Sequence, residues 1–246
     1  MMTNPSMDAD ILRLATNLRM GSAIAELYSK IPFTDPASYV HGLLQALWDA
    51  RIKERVLRWQ QQAGFEQKKT LENYTTDHLE LPKGMALSWF TECHFVEQKQ
   101  NLILLGNPGT GKTHFATALG MEACSRGYKT CFWRMARLVN ELTASQDDKS
   151  AYNALRRRLN DASLLIIDEW GYLPTNVNGT RLLFELISDS YEKRSVVITT
   201  NLPMAEWNRI FCDERLLFAI MDRLIHHGYL IKHTGDSYRL SHSLMR

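Results

Sequence analysis

The chain carries an unbroken G-x-x-x-x-G-K-T loop, Gly106-Asn107-Pro108-Gly109-Thr110-Gly111-Lys112-Thr113, and no other feature limits its possible folds as much. The loop directly follows the apolar run 101–105 and directly precedes a helical pattern through 114–125. Strand, glycine-rich turn and helix form the order in which backbone N–H groups and a helix amino terminus converge on phosphate oxygens. Gly106 to His114 are therefore the candidate nucleotide-binding residues, with Lys112 reaching the β- and γ-phosphates and Thr113 binding Mg²⁺. The four fixed positions coincide by chance in roughly one chain in a hundred of this length, so a turn that binds nothing is the weaker reading.

A second half of such a site is Leu164-Leu165-Ile166-Ile167-Asp168-Glu169, whose Asp168 lies 55 residues beyond Thr113. Four aliphatics make a buried central strand, and acids at its carboxyl end are costly unless they face a cation or solvent. Asp168 is the expected Mg²⁺ ligand, and Glu169 the general base that polarises a water. Asn201 ends another apolar run, Val196-Val197-Ile198-Thr199-Thr200, where an amide can reach a γ-phosphate or simply start the turn before Leu202-Pro203.

Short apolar runs near 101–105, 129–133, 163–168, 196–200 and 229–232 alternate with helical stretches. This predicts an α/β fold with a parallel five-stranded sheet covered on both faces. Residues before about 70 are helical in pattern. Leu44, Trp48, Ile52, Val56, Trp59 and Ala63 recur at three- and four-residue spacing after Pro36, and an earlier helix is expected over roughly 8–30. The expected organisation is a small all-α domain over 1–69 and an ATPase domain over 70–246. The second domain includes a connector, 70–100, with a short helix near 85–96.

Composition narrows the setting. The chain has 246 residues, 45% hydrophobic and 23% charged, which suits one or two globular domains and excludes fibrous or disordered classes. No apolar run approaches the roughly 20 residues of a membrane span. The first residues lack the basic start and apolar stretch of a secretory signal. Cys93, Cys124, Cys131 and Cys212 form no Cys-x-x-Cys pair and read as reduced, mostly buried thiols of a cytoplasmic protein.

The ordered motifs resemble those of AAA+ ATPases. Gly106–Thr113 matches Walker A, Leu164–Glu169 Walker B, Thr199-Thr200-Asn201 sensor 1, and Met221-Asp222-Arg223-Leu224 the box carrying an arginine finger. More particularly, four segments resemble the IstB-like transposition helpers of bacterial insertion sequences, relatives of the DnaC helicase loaders, over about 8–242. They are Lys69-Thr70-Leu71-Glu72-Asn73-Tyr74, Gly109-Thr110-Gly111-Lys112-Thr113-His114, Asp168-Glu169-Trp170-Gly171-Tyr172-Leu173-Pro174 and Gly235-Asp236-Ser237-Tyr238-Arg239. The resemblance implies an ATP- and Mg²⁺-dependent ATPase that oligomerises on duplex DNA, bends it and activates a partner transposase. It makes Arg223, or alternatively Arg215, the finger supplied to a neighbour's nucleotide. After Arg223 only 23 residues remain, too few for the helical lid that usually supplies a sensor 2 arginine, so each ATP site is expected to be completed by a neighbouring subunit. A helicase loader is the alternative. A small-molecule kinase would leave Glu169, Asn201 and Arg223 without a role.

Residues 51–69 hold Arg51, Lys53, Arg55, Arg58, Lys68 and Lys69 against Glu54 and Glu66, a local charge of +4 in a chain of net charge +2. Arg51, Arg55 and Arg58 each precede an apolar stripe residue, so they form a second stripe about 100° round the helix that can meet duplex phosphates without reading sequence. A solvated flank paired with Asp49 and Glu54 is the plainer account. Arg156-Arg157-Arg158 either lines a DNA path or solvates a helix end. Met20, Met85 and Met121 read as core filling, and His226-His227 as a helix-end polar pair lacking a third metal ligand.

Overall fold

The computed structural model describes residues 5–72 and 74–242. Asn73 of the Lys69–Tyr74 motif, the first four residues and the last four lie outside the described residues. The elements in chain order are α1 (Pro5–Asn17), α2 (Ile24–Leu27), α3 (Pro36–Gln62), β1 (Leu79–Glu80), α4 (Leu87–Thr91), α5 (His94–Glu97), β2 (Asn101–Gly106), α6 (Lys112–Ser125), β3 (Thr130–Arg134), α7 (Met135–Ala144), α8 (Lys149–Asn160), β4 (Leu164–Asp168), α9 (Val177–Ser190), β5 (Ser195–Thr200), α10 (Glu214–His226), β6 (Gly228–His233) and α11 (Tyr238–Ser241). They divide into two compact units, residues 1–58 and 59–246.

In the first unit Ala15, Ile24 and Leu47 are buried, with Ile11, Met20, Leu27 and Leu43 packed around them. The helix expected over 8–30 stops at Asn17, because Arg19 and Gly21 both adopt positive φ and end the helical path. Helix α3 starts as its sequence predicts, with the N–H groups of Ala37 and Ser38 donating to Asp35 Oδ1, both at 3.0 Å. The predicted packing stripe is displaced: Leu43 and Leu47 face the core, whereas Leu44 and Trp48 stand 54% and 57% exposed.

The second unit is built on a six-stranded sheet of order β1-β6-β2-β5-β4-β3. Five strands are parallel and match the five expected. The sixth, β1, is a two-residue antiparallel partner of β6 that no apolar run announces. Alternation along each strand sorts the core into two layers. Ile103, Leu165, Ile167, Val196 and Ile198 enter one layer with α7, α9 and α10. Leu102, Leu104, Leu164, Ile166 and Val197 enter the other with α4 and α6.

The stretch after Arg58 groups with the second unit, where it covers the sheet's β3 edge. The Phe132 N–H donates to the Ala63 carbonyl at 2.7 Å, Ala63 is fully buried, and Phe65 packs edge-on against Phe132. A strand edge left open would present unpaired N–H groups, and this stretch pairs one of them. The helix expected near 85–96 is split into α4 and α5 at Cys93, whose φ is +62°. Among the described residues no helix is long and apolar enough to cross a membrane. Cys93, Cys124 and Cys131 are buried, and Cys212 is exposed.

Candidate nucleotide site

The glycine-rich loop joins β2 to α6 at the carboxyl edge of the sheet. Gly111 takes φ +89° immediately before the first helical residue, a conformation that costs an L side chain and leaves the N–H groups of the first helical turn open to an anion. Thr110 is buried and donates to the Asn107 carbonyl at 2.9 Å, which fixes the loop from below. Lys112 folds back onto the loop, donating from Nζ to the carbonyls of Gly106 (2.7 Å) and Asn107 (2.8 Å). Burial lowers its pKa to about 8 against the opposing pull of Asp168, and Arg239 lowers it further.

Strand β4 brings Asp168 to the same edge, where the residue is 1% exposed. The Thr113 hydroxyl donates to Asp168 Oδ1 at 2.9 Å, so the two expected metal ligands already converge. Two hard oxygens on a buried carboxylate and a hydroxyl fit Mg²⁺, which takes oxygen ligands and completes its octahedron with water and phosphate. Thr199, at the end of β5, also donates to Asp168 Oδ1 and accepts from the Glu169 N–H at 3.0 Å. The Trp170 N–H donates to the Thr199 carbonyl at 2.8 Å. Glu169 has φ +59°, and one of its oxygens lies 3.9 Å from Nε of Arg134, which also binds Glu66 at 2.5 Å. Asn201 follows β5, the strand between β2 and β4, and is half-buried with no side-chain hydrogen bond among the described residues.

A polar cluster beneath the loop joins Tyr74 and His114, both inside the quoted motifs, to His233, which no motif indicates. His233 at the end of β6 is buried, and its Nδ1 lies 3.3 Å from the Thr110 carbonyl and 3.1 Å from the Tyr74 hydroxyl. A carbonyl only accepts, so the contact with Thr110 places the ring proton on Nδ1. Burial pushes the imidazole pKa down to about 4, leaving it neutral at pH 7. Tyr74 also packs against His114, whose Nε2 meets the Thr70 carbonyl at 2.8 Å; burial raises the Tyr74 phenol well above its ordinary value.

The other candidates are placed separately. Arg223 lies on α10, donates to the Ala219 carbonyl at 2.8 Å and stacks over the Phe184 ring at 5.2 Å. Neither Arg223 nor Arg215 forms an ion pair among the described residues. In the basic island, Arg51, Lys53, Arg55 and Arg58 are exposed on α3 in the first unit, with Arg51 bonded to the Arg19 carbonyl; Lys68 and Lys69 belong to the second unit. Arg156 pairs with Asp189, and Arg158 donates to the Gln62 carbonyl and covers Trp133, which leaves Arg157 exposed. His226 and His227 do have a third neighbour, since ligand atoms of both and of Glu192 lie within 4.8 Å of one another. Folding brings Glu192 in from the turn after α9, which spacing could not indicate. Hydrogen bonds to Tyr191 (2.8 Å) and Glu192 (3.3 Å) hold the pair as a helix-end polar cluster.

Comparison with known proteins finds relatives described as ATP-binding. A family model described as IstB-like ATP binding protein matches residues 17–245. An insertion sequence IS21 putative ATP-binding protein of Pseudomonas aeruginosa is 36% identical over 197 residues, covering 80% of this chain and 74% of that protein. The IS5376 putative ATP-binding protein of Geobacillus stearothermophilus is 41% identical over 146 residues, 59% of this chain and 58% of its own length. Among solved structures, AMPPCP-bound DnaA from Aquifex aeolicus superposes with a TM-score of 0.54 at 22% identity, covering 69% of this chain and 51% of that one. A DnaC helicase loader gives 0.50 at 19% identity, covering 67% and 96%. The fold is thus α/β of the DnaA and DnaC type.

Proposed function

The chain belongs to the IstB-like ATP-binding family, and from that membership we propose that it is an ATPase that assembles on duplex target DNA, bends it and recruits a partner transposase. The observation that carries the nucleotide part of the reading is the convergence of Thr113 and Thr199 on the Asp168 carboxylate beside Glu169. A loop that bound nothing would have no reason to bury an acid against a threonine of its own helix.

In this reading Lys112 exchanges its two loop carbonyls for phosphate oxygens, and the open N–H groups at the start of α6 receive the rest of the triphosphate. Thr113 and Asp168 hold Mg²⁺, which neutralises charge on the phosphates when bound. Glu169 orients and deprotonates the attacking water, and Asn201 reads the γ-phosphate from the neighbouring strand. Arg223 serves the nucleotide of an adjacent subunit, so that ATP sites lie at subunit interfaces and nucleotide state governs assembly. Arg51, Lys53, Arg55, Arg58, Lys68 and Lys69 supply phosphate contacts largely independent of sequence.

The test is ATP hydrolysis with and without duplex DNA for the wild type, Lys112→Ala and Glu169→Gln. The reading expects stimulation by duplex, no ATP-dependent assembly in Lys112→Ala and a trapped ATP-bound DNA complex in Glu169→Gln. Equal turnover in Glu169→Gln removes that residue as the base. Retention of a replicative helicase without duplex affinity favours the loader alternative, and saturation by a metabolite without a DNA effect favours a kinase.

A further inference from the structure

Beyond β6 the chain turns back over the phosphate loop. The Thr234 N–H donates to the His78 carbonyl at 2.9 Å, and the Tyr238 N–H donates to the Gly109 carbonyl at 3.1 Å. Gly109 has φ +86°, and a Cβ there would collide with the Ser237 hydroxyl. The close approach of this segment therefore depends on glycine at that position of the loop. Between the two runs lies a cavity of about 590 Å³, bounded by Asn107 and Pro108 on the loop side and by Gly235, Asp236, Ser237, Arg239 and Leu240 on the other.

Arg239 is exposed and has no hydrogen bond or ion pair among the described residues, although Asp236 lines the same cavity. It is near enough to Lys112 to disfavour that amine's charge. Two cations beside one loop, one folded onto carbonyls and one without a hydrogen bond or ion pair among the described residues, leave a positive site that a polyanion would satisfy.

The geometry points to Arg239 as a second cationic ligand of the nucleotide's terminal phosphates, supplied in cis by the subunit whose loop holds the nucleotide. The inference rests on the proposed ATP binding and deepens it. In this assignment a residue after β6 adds a second positive charge beside the phosphates, and residues 234–241 act as a strap across the loop. Arg239 is thereby distinct from Arg223, which lies on the α9–α10 face and is assigned to a neighbour's site.

The experiment is equilibrium binding of fluorescent ATP and ADP analogues to the full chain and to Arg239→Ala and Arg239→Lys, with melting of the nucleotide-free proteins as a folding control. A charge-assisted hydrogen bond lost from a phosphate weakens binding by about tenfold or more. ATP affinity should therefore fall by at least about tenfold in Arg239→Ala and less in Arg239→Lys, ADP affinity should fall less than ATP affinity, and melting should not change. Unchanged ATP affinity, or an equal loss for ATP and ADP, overturns the assignment while leaving the ATP reading intact. A wild-type chain that binds no ATP overturns both. Mixing separates cis from trans action. Lys112→Ala subunits should restore hydrolysis to Arg223→Ala subunits and not to Arg239→Ala subunits; restoration in the latter pair overturns the cis role.

Discussion

The Thr199 hydroxyl donates to the buried Asp168 carboxylate and at the same time accepts from the Glu169 N–H at 3.0 Å, so one side chain of β5 fixes the acid that ends β4 and the backbone of the acid that follows it. Replacing it with valine keeps the shape and removes both bonds. Leaving such buried groups unpaired costs about 1–3 kcal/mol of stability. Thr199→Val should lower unfolding stability by that order and ATP turnover by at least about tenfold, while Thr199→Ser restores most of both. Denaturant melts and steady-state hydrolysis on the three proteins decide it, and unchanged turnover in the valine variant would remove Thr199 from the site.

The Lys112 amine, lowered to about 8 mainly by burial, must be charged to hold phosphate. Bound phosphates raise its pKa, so affinity for ATP should be level below pH 8 and fall as pH rises above it, approaching tenfold per pH unit. Calorimetry at pH 8.5 in buffers of different ionisation enthalpy should register proton uptake on ATP binding. A flat affinity profile through pH 9.5 without uptake would contradict this account of the lysine.

His233 is neutral because burial lowers its pKa from 6.5 to about 4. The unfolded chain binds more protons between those values, so stability falls as pH drops from 6.5 toward 4, by roughly 3 kcal/mol from this residue. The difference between wild type and His233→Gln in urea melts at pH 7 and pH 4.5 should narrow at the lower pH.

Folding was legible in this sequence wherever the signal is local. The loop at Gly106–Thr113, the aliphatic run ending in Asp168 and the alternation of strands with helices each depend on neighbouring residues, and each has its counterpart in the structure. Thr199 could be placed on its strand, but its grip on Asp168 and Glu169 depends on which strands lie side by side. The Tyr74, His78 and His233 cluster joins residues 159 positions apart, and β1 is two residues long, so neither leaves a periodic trace. The displaced face of α3 has the same origin: Leu43 and Leu44 begin adjacent rows on a 3.6-residue helix, and only packing decides which one is buried.

Removing the α3 cations tests their role in holding DNA. The triple variant Arg51→Ala, Arg55→Ala, Arg58→Ala should weaken duplex binding to a similar degree on unrelated sequences. It should reduce the slope of log affinity against log salt by about 0.9 for each phosphate left without its cation. Binding titrations between 50 and 200 mM salt, about the range over which such contacts matter most, would detect it. An unchanged slope would place DNA elsewhere.

In the proposed assembly, ATP held by one subunit is completed by the next, so that nucleotide governs assembly on a duplex. Mass measurement of single particles with duplex DNA, in ATP and in no nucleotide, tests it most directly. Multimers should form on DNA with ATP and be lost in both Lys112→Ala and Arg223→Ala. Particles of one subunit at saturating ATP and duplex would contradict it.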